Sequence, residues 1–138
     1  LKFEIEQLEP MLELLEEHQA KDSKGYFSKR KVRLLLEREV DNPKTLILTN
    51  KEVSAVLIFM LVESHFSTQS SIQEACFYSR TAGSGFRLLK EAQPWIDRWG
   101  DGVLYRTFVS TGTEATNKML ERFGMEQIGV IFDMRGKE

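Results

Sequence analysis

Cysteine, histidine and proline are all scarce in this chain of 138 residues, which holds one cysteine, two histidines and three prolines. The lone Cys76 cannot close an internal disulfide and fits a reducing compartment. No His/Cys pair has zinc-ligand spacing, so no metal site is expected. The longest apolar run, 55–62, is far shorter than the ~20 residues of a membrane-spanning helix, so no membrane partner is expected. Charge of one sign is also lacking: the formal net charge is −2, which argues against broad nucleic-acid binding. The basic segment Lys29-Arg30-Lys31-Val32-Arg33 reads as a solvated helix face. Repeats, low-complexity tracts and long polar linkers are absent, so residues 1–138 read as one domain. A cytoplasmic location follows as an expectation.

What is present suits a globular domain, with 41% hydrophobic and 29% charged residues. At this length about two thirds of the unfolded surface can be buried. Residues 2–7 alternate, with Phe3 and Ile5 on one face, and read as a short edge strand before a helix starting at Pro10. Met11, Leu12 and Leu15 form that helix's apolar stripe, with Glu9, Glu13, Glu16 and Glu17 toward water. A polar loop with Gly25, Tyr26 and Phe27 follows. Val32, Leu35 and Leu36 mark a second helix, which ends before Asn42-Pro43.

The period then changes. Residues 45–49 and 53–62 are β-branched and apolar and are separated by Asn50-Lys51-Glu52, as in a hairpin. Another strand is expected over 72–79. Leu88, Leu89, Ala92, Ile96 and Trp99 recur at helical spacing, and Pro94 predicts a kink or an early end near Gln93. A strand over 103–109, a helix over 113–123 stopped by Gly124, and a strand over 127–134 complete the order. In the last helix Thr116, Met119, Leu120 and Phe123 are expected to face inward.

One stretch carries chemistry: Phe77-Tyr78-Ser79-Arg80-Thr81-Ala82-Gly83-Ser84-Gly85-Phe86 leads from a strand through a glycine turn into a helix. A helix start offers unpaired N–H groups and the positive end of a dipole, and glycines let an anion reach them. The Walker pattern fails for want of Gly-Lys-Ser/Thr. A dinucleotide fingerprint fails because Leu88 stands where the third glycine belongs.

The spacing Arg80-x-x-Gly83-x-Gly85 resembles the coenzyme A pyrophosphate loop of the GNAT family of N-acetyltransferases, written Q/R-x-x-G-x-G/A. Lys118-Met119-Leu120-Glu121-Arg122-Phe123-Gly124-Met125-Glu126 is similar to that family's L-Y-E-K-x-G-F-E tail, and the order of elements matches over nearly the whole chain. The resemblance in style is to compact bacteriophage members. It implies an α+β fold whose central mixed, mostly antiparallel sheet is flanked by helices. It also implies acetyl-CoA as co-substrate and an amine, small molecule or protein, as acceptor, and leaves a homodimer open. Backbone amides of 81–86 would then face the pyrophosphate, Arg80 would add charge, and Phe77, Tyr78 and Ser79 would lie along the pantetheine arm between splayed strands. Asn117 would hydrogen-bond that arm.

Transfer to an amine needs a proton acceptor. Glu74 is the first candidate, with Glu63 and His65 as alternatives. Each also reads as a surface residue. The family's tail tyrosine, which reprotonates the thiolate, is replaced by Leu120, and Tyr105 is the candidate substitute. The V-x-P-x-Y-R extension of the strand before the loop is also absent. A second reading follows from these departures: a catalytically inactive binding or virion-associated protein on the same scaffold. Cys76, with no legible catalytic partner, reads as a small buried hydrophobe.

Overall fold

The computed structural model describes residues 1–22, 26–63, 66, 70–81, 83–99, 103–107 and 114–124. Their elements run α1 (Leu8–Asp22), α2 (Lys29–Glu39), β1 (Thr45–Thr49), β2 (Ala55–Glu63), β3 (Ser70–Ser79), α3 (Ser84–Arg98), β4 (Val103–Thr107) and α4 (Glu114–Arg122). The four strands form one sheet in the order β1-β2-β3-β4. The first two pairings are antiparallel and β3–β4 is parallel, as a mixed, mostly antiparallel sheet requires.

β2 sits in the middle of the sheet with cores on both faces, which is why its sequence is continuously apolar rather than alternating. Val56 and Ile58 pack with Met11, Leu12, Leu15 and Leu36 from α1 and α2. Leu57 and Phe59 pack on the other face with Leu88, Leu89, Ala92 and Ile96 from α3 and Leu120 from α4. The hairpin turn between β1 and β2 is organised by Asn50, whose carbonyl Oδ1 accepts from the amides of Ser54 (2.8 Å) and Ala55 (3.3 Å). Within it Val53 adopts φ 53, a strained conformation for a β-branched residue, while its side chain is 4% exposed in the core.

Three sequence expectations are corrected. Residues 2–7 are not a strand: Lys2 makes one isolated antiparallel bridge to Leu48, and Ile5–Gln7 form a 3-10 turn. Reciprocal capping between Glu4 and Gln7 turns the chain into helical geometry before Pro10, and Ile5 is left 42% exposed while Phe3 is buried. Of the two outcomes expected at Pro94, the early end does not occur: α3 runs through Pro94 to Arg98. Buried Ala92 and Ile96 hold both sides of the proline in the core, and Gln93 Nε2 donates to Asp97 Oδ1 across it at 2.7 Å. β3 begins at Ser70, earlier than the polar composition there suggests, because it pairs with β2 out to Glu63. α4 ends where Gly124 takes φ 97. The expected strand 127–134 lies outside the described residues.

Candidate functional site

β3 is the organising element. On one edge it pairs with β2 along its whole length, from Glu63↔Ser70 to Ala55↔Ser79. On the other it pairs with β4 only from Ser70↔Val103 to Gln73↔Thr107. The described part of β4 ends at Thr107, and the described ladder ends with it at Gln73. A bulge lies just beyond: Ile58 opposes Cys76 and Phe59 opposes Glu74, so Ala75 is the extra residue. Bulges re-aim side chains and are frequent beside active sites.

β3 leads into the α3 N-terminus. Gly83, the N-cap, takes φ 84, and no side chain caps the helix. Among the described residues a Cβ built on Gly83 would meet nothing within 4 Å, so this glycine serves its positive φ. Gly85 has another role: its Cβ would lie 2.6 Å from Phe77 Cζ. That glycine lets α3 sit directly on the Phe77 ring.

The anion cradle is narrower than the sequence suggests. The amide of Arg80 donates to Ser54 O at 2.8 Å, and that of Thr81 donates to Ser79 Oγ at 3.3 Å. The first helical hydrogen bond runs from Arg87 N to Gly83 O at 3.2 Å. Among the described residues the amides of Ser84, Gly85 and Phe86 meet no acceptor, so these three form the donor set at the positive helix end. Ala82 lies outside the described residues.

Arg80 is not a free cation at the rim. Its Nε donates to Glu17 Oε2 at 2.9 Å, and Tyr78 Oη donates to the same oxygen at 2.7 Å. Lys21 Nζ donates to Tyr78 Oη at 2.7 Å. The Tyr78 hydrogen bond, followed by that of Arg80, holds the Glu17 carboxyl below the usual carboxylate range. Lys21 is raised, first by its hydrogen bond to Tyr78. The sequence gives no warning of this cluster because it joins β3 to α1, sixty-one residues away for Glu17 and Tyr78. Phe86, in the first turn of α3, is flanked by cations, with Lys90 Nζ 4.8 Å and Arg122 Cζ 5.5 Å from its ring centroid.

The remaining candidates divide by position. Glu74 is half-buried at the bulge, on the α3 face with Ile72 and Phe59. Tyr105 is in β4 opposite Ser71, roughly 10 Å along the strand from Glu74's level. Asn117 is half-buried in α4. Glu63 is exposed at the end of β2, and His65 lies outside the described residues. Leu120 is 7% exposed within the α3-side core, so the position of the family's tail tyrosine is occupied by packing.

Sequence reasoning missed a cavity of about 250 Å³ between α1, α2 and the sheet, bordered by Ala75 and Cys76 at the bulge and by His18 of α1. The signal for His18 lies in the helical period: positions 11, 14, 15 and 18 share one face, and the first three are buried apolar residues.

No family model matches the chain, and neither does any curated protein. Solved structures do match. A probable acetyltransferase superposes with TM-score 0.74 at 13% identity, covering 100% of this chain and 97% of that one. Glucosamine-6-phosphate N-acetyltransferase from Arabidopsis thaliana gives 0.72 at 12%, covering 99% and 97%. A predicted acetyltransferase with acetyl-CoA from Clostridium acetobutylicum gives 0.69 at 6%, covering 98% and 94%. The fold is thus the α+β acetyltransferase fold, and identities this low establish the fold alone.

Proposed function

We propose that residues 1–138 form one acyl-CoA-dependent N-acyltransferase domain, with acetyl-CoA as donor and an amine as acceptor. The observation that carries this reading is the uncapped helix start directly after β3, with Gly83 at φ 84 as its N-cap. The amides of Ser84, Gly85 and Phe86 suit the pyrophosphate, and Phe77, Tyr78 and Ser79 of β3 would lie along the pantetheine arm. The cavity behind the bulge would receive the acceptor from the opposite face of the sheet, so donor and acceptor meet at Ala75. Glu74, at the bulge on the donor face, is one candidate proton acceptor. Tyr105 and Asn117 remain candidate contributors of a proton and a hydrogen bond. Arg80, already paired with Glu17, contributes a compensated charge rather than a free one.

Ser84→Glu tests the cradle cleanly. α3 has no acidic residue in its first turn, so a carboxylate there should gain ~0.3–1 kcal/mol through the helix dipole, which offsets the lost hydroxyl contact between Ser84 and Thr81 and leaves the fold stable. The same charge should repel the pyrophosphate and weaken coenzyme A binding by roughly tenfold or more in calorimetry. No saturable coenzyme A binding by the wild-type protein at millimolar ligand would overturn the proposal.

The burial of Leu120 favours a second reading, a scaffold that binds acyl-CoA without transferring the acyl group. A thiol-release assay over a broad amine panel separates the two: turnover above background on any amine removes the second.

A further inference from the structure

Resting on the acyltransferase reading, we propose that the acceptor is a small primary amine carrying an aryl or branched alkyl group, held between α1, α2 and the sheet. In this arrangement His18 accepts the ammonium proton. The cavity has about 250 Å³, and its walls are mainly apolar, with Phe27, Leu35, Met60 and Cys76 among them. An apolar cavity of ~150 Å³ already holds a benzene ring, so this one has room for a ring with a short aminoalkyl chain. A sugar amine or a polyamine would lose most of its hydration against these walls, with Gln19, among the described residues, the one side-chain amide there to replace it.

Three titratable side chains border the cavity: His18, Glu39 and Cys76. Glu39 is committed elsewhere. Its carboxylate accepts from Thr45 Oγ1 at 2.8 Å, Asn42 Nδ2 at 2.7 Å and Arg38 Nε at 3.0 Å. A carboxylate so satisfied is a weak proton acceptor. Cys76 would compete as a nucleophile rather than act as a base. His18 is half-buried, its ring 4.9 Å from that of Tyr78, which sits two residues from Cys76 on the same face of β3. An imidazole is thereby fixed over β3, the strand assigned to the thioester arm. Glu74 lies on the opposite face of the sheet, so an amine held in this cavity meets His18 first.

The chemistry balances with the donor already proposed. The ammonium gives one proton to an imidazole nitrogen of His18. The freed lone pair forms the C–N bond at the thioester carbonyl as the C–S bond breaks, and sulfur keeps that electron pair. The second amine proton passes to sulfur, giving amide and free thiol, and His18 returns its proton to solvent.

Binding is measured first by calorimetry without coenzyme A, using phenylethylamine, spermidine and glucosamine as probes. Phenylethylamine should bind about tenfold or more tightly than either polar amine. Leu35→Trp, which fills the cavity from α2, should weaken phenylethylamine by a similar factor while leaving coenzyme A affinity unchanged. Equal or tighter binding of the polar amines, or no effect of L35W, would overturn the acceptor class. In turnover, His18→Gly should lower kcat by about a hundredfold with the amine KM little changed, and added imidazole should restore part of the loss. His18→Asn, of closer volume, should show the same loss without rescue. A kcat unaffected in both variants, or a loss of amine binding without imidazole rescue, removes His18 from the role. If the wild-type protein binds phenylethylamine but no coenzyme A, the acyltransferase reading falls together with the role of His18, and the apolar amine pocket stands.

Discussion

Gly85 shows how one residue can satisfy two demands. In a coenzyme loop it would give an anion access to backbone; here its missing Cβ also prevents a 2.6 Å approach to Phe77 Cζ. Gly85→Ala should therefore cost about 1–3 kcal/mol through overpacking, measured by urea unfolding. Phe77→Leu in the same background should recover part of that, because residues in contact are not additive. Simple addition of the two single effects would show that the ring is not the obstacle. Glu39 makes a second case. Its carboxylate is 9% exposed and held below the usual carboxylate range, first by the Thr45 hydroxyl, with Asn42 and Arg38 adding to this and burial opposing it. A depressed folded-state pKa adds stability above the unfolded carboxylate range and loses it as pH falls through the folded value. Thr45→Val should thus destabilise by about 1 kcal/mol at neutral pH, and the gap should narrow in acid. A gap that widens on acidification would contradict the assignment.

At the scale of elements, α3 carries a proline that composition alone would treat as a stop. Pro94 removes one amide donor and crowds the carbonyl of Lys90. The helix continues because buried Ala92 and Ile96 flank the exposed proline, and Trp95 Nε1 donates to Pro43 O at 3.2 Å. Pro94→Ala should restore the missing hydrogen bond and raise stability by about 1 kcal/mol or more, seen as a higher Tm. An unchanged or lowered Tm would mean that the restriction proline places on the unfolded chain outweighs the missing hydrogen bond. The same balance explains residues 2–7. Two alternating apolar positions are a weak strand signal, and the Glu4–Gln7 capping pair outcompeted it.

For the whole molecule, the feature of consequence is that β3 runs from its parallel pairing with β4 at Ser70–Gln73 to the start of α3. Amide hydrogen exchange gives the test. Coenzyme A should slow exchange in the stretch 74–79 and at Ser84 to Phe86, while amides of β1, already paired with β2, should change little. Protection confined to α1 and α2 would place the ligand on the other face of the sheet.

The sequence by itself determined the helices, the hairpin, the strand-to-helix loop and the fold class. Each rests on local periodicity, on glycine and proline, or on a motif within a few residues. The glycines at 83 and 85 were legible for the same reason, since a turn before a helix is a local event. Tertiary structure decided what those residues could still do. Arg80 was neutralised by Glu17 across the α1–β3 contact, Thr81 was turned back to Ser79, and Leu120 was drawn into the core. It also brought His18 beside Tyr78 and the bulge at Ala75, joining residues about sixty positions apart. Such pairings depend on which faces of the sheet the helices cover, and single-chain periodicity shows that a helix has an apolar face without showing what that face will meet.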